Sequence, residues 1–234
     1  MTRDLDVAEL VKLAGRTAGE GSIGVAFTYS EPGIWFEYVL EAAQALKKAG
    51  QHTVMVTNGY LALPAVKELL PFIDAWNIDL KSIRPDFYRK VCRGELTDVL
   101  RTIETVAEKS HLELTNLLIT DLNDSEEEIM ELAEWVAGVN KDIPLHLSRY
   151  HPMYKMDNPQ TPKETLLKAW KIAREKLNYV YLGNIRIEGG STTRCPACGE
   201  IIVDRDGYRA KIVNLSPGNQ CGNCGKNIPI VTND

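Results

Sequence analysis

The feature that most constrains this chain is an alternation of helical periodicity with short apolar runs, each run stopping abruptly in small polar or charged residues. Leu5, Ala8, Val11 and Ala14 fall at helical spacing within 5–17,. An apolar run at 23–27 follows, then a helical pattern over 34–49 that closes at Gly50,. The alternation continues with strands at 52–56, 75–80, 112–120, 144–148 and 179–182. Between them lie helical stretches at 65–70, 86–91, 96–109, 126–137 and 162–176, with Asp124 or Ser125 as the cap of the acidic-fronted fourth,. Strands joined through helices run parallel by right-handed crossovers, so the fold class is α/β, a barrel or a doubly wound sheet. A chain beginning on a helix is odd for either, and the pattern reads as one lacking a first strand.

In both architectures ligands meet the C-terminal ends of the strands. Four such ends carry polar residues: Thr28, Tyr29, Ser30 and Glu31; Asn58 and Gly59; Asp79 and Lys81; Arg149 and His151. Singly, each has a structural explanation. Ser30 suits a helix N-cap with Glu31 and Pro32 in the first turn, Asp79 and Lys81 suit an ion pair, and His151 before Pro152 suits a loop,. Jointly they describe a ligand face. A carboxylate accepts from an ammonium, an Asn or backbone group holds a hydroxyl, and Lys or Arg binds a carboxylate, which together suit a zwitterion carrying a sugar.

With 234 residues, 44% hydrophobic and 25% charged, the chain has the composition of an ordinary globular protein with one substantial core and room for a small appendage,. A net charge of −5 argues against a broad nucleic-acid surface,. No apolar run reaches the ~18 residues of a membrane span, and the polar N-terminus is no secretory signal, so a cytoplasmic location without a membrane partner is the expectation.

Four of the five cysteines form two C-x-x-C pairs, Cys195 with Cys198 and Cys221 with Cys224, each followed by glycine. In a reducing compartment this pattern reads as metal ligation, a closed tetrahedral site with a structural or partner-binding role. Zinc fits best, and a single rubredoxin-like iron is the rival. The break at 189–193 divides the chain into an α/β domain, 1–188, and a zinc-ribbon-like unit, 189–234. Cys92 stands alone and reads as a small buried hydrophobe.

Five motifs in order, Thr28-Tyr29-Ser30-Glu31-Pro32, Thr57-Asn58-Gly59-Tyr60, Asn77-Ile78-Asp79-Leu80-Lys81, the stretch from Tyr88 through Cys92 to Gly94, and Leu147-Ser148-Arg149-Tyr150-His151-Pro152, resemble the radical SAM enzymes of the AmmeMemoRadiSam system, relatives of the pyruvate formate-lyase activating enzymes. The resemblance covers nearly the whole chain. It implies a partial (β/α)6 barrel, with Thr28 to Glu31 on the amino group of S-adenosylmethionine and Asn58 and Gly59 nearby. Asp79 and Lys81 would face the ribose and methionine parts, while Arg149 and His151 close the site. Such enzymes also carry a C-x-x-x-C-x-x-C loop after the first strand, holding a [4Fe-4S] cluster. No such spacing occurs here, so the expectation is a chain without its first strand, making no radical unless another segment supplies the cluster,. The alternative is a cluster-free binding or scaffold paralogue with a structural zinc site. In either case a protein substrate or partner would cap the open barrel edge, and the chain alone would self-associate or express poorly.

Overall fold

A computed structural model describes residues 4–207 and 209–232. Six strands, β1 (Gly24–Phe27), β2 (His52–Thr57), β3 (Ala75–Asp79), β4 (His111–Leu118), β5 (Leu145–Arg149) and β6 (Val180–Gly183), form one parallel sheet in sequence order. Helices α1 (Val7–Ala18), α2 (Phe36–Lys48), α3 (Leu63–Leu69), α4 (Pro85–Phe87), α5 (Leu96–Ala107), α6 (Glu126–Asn140) and α7 (Lys163–Arg174) alternate with them. The expected α/β class and each of its six strands are therefore present. By internal contacts the chain divides into Met1–Thr115 and Asn116–Asp234.

In the first unit, local sequence accounts for the elements directly. The Asp6 carboxylate accepts from the Glu9 amide at 2.7 Å and starts α1,. Val39, Ala42, Ala43 and Leu46 on α2 lie at helical spacing and are fully buried,. Met55, Trp76, Ile78 and Leu114 from β2–β4 are fully buried too, each worth roughly 1.5–3 kcal/mol by removal from water,. The alternate residues Asn77, Asp79, Glu113 and Thr115 stay half-exposed. Central strands of a parallel sheet are usually apolar on both faces, so this polar row marks a face that helices do not cover. Register sets Asn77 beside Glu113 and Asp79 beside Thr115.

Two elements depart from the periodicity reading. The pattern over 34–49 is a 3-10 turn, Pro32–Trp35, followed by α2, because the chain first has to turn at Pro32. The pattern over 86–91 becomes α4 and a π-helical turn, Tyr88–Cys92, stopped by Arg93 in the left-handed region at φ 58°,.

In the second unit Ser125, one of the two expected caps, accepts from the Glu128 amide at 3.2 Å to start α6. After β6, β7 (Thr193–Arg194), β8 (Ile201–Asp206) and β9 (Arg209–Ile212) form an antiparallel ribbon, and β10 (Leu215–Ser216) pairs with β11 (Gln220–Cys221). This ribbon is tied to β6: the Leu182 amide donates to Gly190 O at 2.8 Å, the Tyr181 and Thr193 hydroxyls are 2.8 Å apart, and the Arg205 guanidinium lies 5.6 Å from the Tyr181 ring centre.

Candidate functional site

At the end of β1 the chain passes through two consecutive non-glycine residues in the left-handed region, Tyr29 at φ 65° and Ser30 at φ 52°. That conformation costs about 1–2 kcal/mol per residue, and it is held by the carboxylate that follows. Glu31 Oε1 accepts from Thr57 Oγ1 at 2.6 Å and from the Gly33 amide at 3.0 Å, while Oε2 accepts from the Asn58 amide at 2.8 Å. The two readings of this stretch thus meet in one residue. Glu31, rather than Ser30, caps the 3-10 turn, and the same carboxylate staples the ends of β1 and β2 together. A carboxylate has about four acceptor positions, so three bonds leave one open, at Oε2. Tyr29 and Ser30 point to solvent.

The turn after β2 is equally fixed. Asn58 Oδ1 accepts from the Tyr60 amide at 2.8 Å, and the Gly59 amide donates to Thr57 Oγ1 at 3.1 Å. Gly59 has φ 72°, and a Cβ there would stand 2.6 Å from Ile78 Cγ2 and 3.2 Å from Val99 Cγ1. Only glycine fits this position. At the end of β3 the Lys81 ammonium lies 2.7 Å from Asp79 Oδ2, both side chains about a third exposed, so the ion-pair explanation of these two residues holds as geometry. The Lys81 amide donates to the hydroxyl of buried Tyr88 at 3.1 Å. Burial raises the Tyr88 pKa well above its ordinary value, so the phenol stays protonated,. Partial desolvation raises the pKa of Cys92 as well, against the pull of the Lys81 ammonium. Cys92 is therefore a thiol at neutral pH, and it is exposed rather than buried as its sequence context suggested,.

Within the second unit, Arg149 Nε donates to Thr161 O at 2.7 Å. Thr161 is fully buried; its hydroxyl accepts from the Tyr150 amide at 3.0 Å and donates to Leu118 O at 2.6 Å. His151 is exposed, its ring against the Gln160 side-chain amide. Sequence reasoning passed over Thr57 as a ligand of Glu31, although its place at the end of the neighbouring strand was the available signal. Thr161 gave no signal, because its partners lie far away in sequence.

The four C-terminal cysteines converge, with all four sulfurs within 4.8 Å of one another. Cys195 Sγ is 3.6 Å from Cys224 Sγ, and Cys198 Sγ is 3.7 Å from Cys221 Sγ. Tetrahedral thiolates at a metal–sulfur length of about 2.3 Å would stand about 3.8 Å apart, so the group fits a single metal ion. Each pair sits on the same knuckle. The Gly199 amide donates to Cys195 O at 2.9 Å and the Gly225 amide to Cys221 O at 2.8 Å, with the glycines at φ 76° and 72°. The Asn223 side chain and the Glu200 amide favour the thiolate of Cys198, while sharing of protons among the clustered sulfurs raises the pKa of Cys224,. This group does not fit a four-iron cluster, which spreads its thiolates over different irons and so separates them more widely.

Residues 1–136 match the Radical SAM superfamily. Over 98% of its length the chain is 37% identical to an uncharacterized protein of Methanocaldococcus jannaschii, 68% of which it spans. It is 26% identical over 56% of its length to the pyruvate formate-lyase-activating enzyme of Clostridium pasteurianum, covering 55% of that enzyme. Among solved structures, a domain of a pyruvate-formate lyase-activating enzyme from Bacteroides vulgatus shares the fold at TM-score 0.60 and 24% identity, over 69% of this chain and 99% of that one. A radical SAM methyltransferase from Sphaerobacter thermophilus superposes at TM-score 0.61 and 18% identity, over 86% and 63%. No helix among the described residues is long and apolar enough to cross a membrane. The parallel sheet, its polar strand ends and the match over more than half the sequence place this chain in the radical SAM superfamily.

Proposed function

We propose that the C-terminal ends of β1, β2 and β3 bind S-adenosylmethionine, and that the chain is the ligand-binding part of an activating-type radical SAM protein acting on a partner protein or a small substrate. The observation that carries this is the Glu31 carboxylate, pinned by Thr57, Gly33 and Asn58 with one acceptor position left for an ammonium,. Thr28, Tyr29 and Ser30 shape the approach to it, and the Asn58–Gly59 turn supplies backbone and amide groups beside it. Asp79 accepts from ribose hydroxyls and Lys81 faces the methionine carboxylate, each giving up part of its ion pair to the ligand. The donor set therefore fits the zwitterionic, sugar-bearing ligand; its sulfonium is the group whose reductive cleavage yields the radical in this superfamily. The order of the five motifs supports the finer likeness to AmmeMemoRadiSam enzymes.

The thiolates for a [4Fe-4S] cluster would come from outside these 234 residues, which hold no C-x-x-x-C-x-x-C,. β1 ends the sheet with β2 as its one strand neighbour among the described residues, an edge suited to a further strand from another segment or chain,. That same lack of a cluster motif favours a second reading, a cluster-free binding or scaffold protein. In both readings 189–234 is a separate unit folded around zinc, in a reducing compartment such as the cytoplasm.

Calorimetry with S-adenosylmethionine tests the site. The wild-type chain should give saturable heat, and Glu31→Gln, which exchanges an acceptor for a donor, should weaken binding about tenfold or more. No heat from the wild type at millimolar ligand, or equal affinity in the variant, would remove the proposed role. Reconstitution with iron and sulfide separates the two readings. Restored four-iron absorbance when a C-x-x-x-C-x-x-C peptide is added supports the activating-type reading, and its failure leaves the scaffold reading.

A further inference from the structure

We infer that the surface joining the loop after β2 to the π-helical turn before α5 is a docking site for an extended segment of a partner protein in which acidic residues flank an aliphatic side chain. This deepens the proposed function, and rests on it, by giving the chemistry of the polypeptide that would be presented to the site. Tyr60 is 50% exposed, and its ring lies on the backbone of Gly94, where an added Cβ would meet Tyr60 Cε2 at 3.3 Å. Tyr60 also lines a groove of about 370 Å³ together with Leu61, Ala62, Leu63, Asp98 and Arg101. Arg93, the residue before Gly94, is exposed.

Two features set this segment apart from an ordinary solvated turn. It is built at a cost: a π-helical turn is rare, and Arg93, at φ 58°, holds a conformation that glycine would adopt without penalty,. Its charge also opposes that of the molecule. Residues 84–93 contain four cations and one anion, in a chain of net charge −5. Asp86 is shared by Arg89 and Lys90, and Asp98 pairs with Arg101 at 3.8 Å, whereas Arg93 has no carboxylate partner among the described residues. Val91, 40% exposed on the same turn, adds apolar surface. A basic edge beside an aliphatic groove matches an acidic segment carrying one apolar anchor. A nucleic acid fits less well, since the groove is aliphatic, contains Asp98 and belongs to an acidic protein.

The test uses two fluorescein-labelled peptides of equal length on the full chain, one with aspartates around a leucine, the other with lysines around the same leucine. Saturable anisotropy is expected for the acidic peptide, with affinity at least about tenfold above the basic one and falling with added salt. Arg93→Gly should lower that affinity several-fold while raising the melting temperature, because it removes the charge and relieves the left-handed backbone. A structural role would move both quantities the other way or not at all. Tyr60→Ala should also weaken the acidic peptide, and S-adenosylmethionine binding should be unchanged in both variants. Equal binding of the two peptides, no loss in Arg93→Gly, or displacement of the acidic peptide by an equal concentration of single-stranded RNA would overturn the inference. Loss of S-adenosylmethionine binding by the wild-type chain with peptide binding intact would instead count against the proposed function alone.

Discussion

At the scale of single residues the most informative finding is that a carboxylate serves folding and binding at once. Glu31 ties β1 to β2 before any ligand arrives, so Glu31→Gln should cost about 1–2 kcal/mol of stability besides its effect on ligand affinity, measurable by urea unfolding,. Gly59→Ala should be worse, by about 2–4 kcal/mol, because it adds left-handed strain to a clash with Ile78 and Val99,. Asp74 gives a pH signature. Burial alone would raise its pKa, but Lys47, the Thr53 amide and His52 more than offset that, and the folded-state pKa lies below the ordinary carboxylate value. A depressed pKa stabilises the fold above the unfolded value of about 4, and that contribution is lost as pH falls through the folded pKa. Asp74→Asn should therefore lower the melting temperature at pH 7 and leave it nearly unchanged in strong acid, where the wild type has lost the same interaction.

At the scale of elements, periodicity located strands and helices because burial and local spacing coincide. β2 and β3 alternate as residues facing a core and a half-exposed face should, and α2 repeats its buried positions each turn. The failures at 32–35 and 86–92 share a cause: backbone conformation there answers to contacts made by Glu31 and Tyr88 with neighbouring strand ends, which hydrophobic spacing does not report. Thr161 is the corresponding element-level support in the second unit. It joins the end of β4 to the residue after β5, so Thr161→Val should leave the Tyr150 amide and Leu118 carbonyl unsatisfied and cost about 1–3 kcal/mol, with faster hydrogen exchange at Tyr150 as the local readout,.

At the scale of the whole molecule the four-cysteine group is the least ambiguous structure, since its few buried companions, Ile202, Val203 and Ile228, make a core too small to hold a ribbon unaided,. Removing the metal with a thiol-reactive mercurial and a chelator should abolish hydrogen-exchange protection in β8 and β11 while β2–β4 remain protected. Metal analysis after purification from medium containing both metals distinguishes zinc from iron, with one equivalent of either per chain as the expected content.

The sequence alone determined what depends on spacing and residue type: alternating α/β elements, polar strand ends, paired C-x-x-C knuckles and the motifs that carry the family resemblance. These are local patterns, set by periodicity and by which side chains chemistry permits at a turn or a metal. Tertiary structure decided the rest. It made Glu31 rather than Ser30 the cap, recruited Thr57 to hold it, exposed Cys92, and brought four sulfurs to the separation of one tetrahedral ion. Those outcomes depend on which residues meet across strands and between distant turns, and such distances come into being only when the chain is folded.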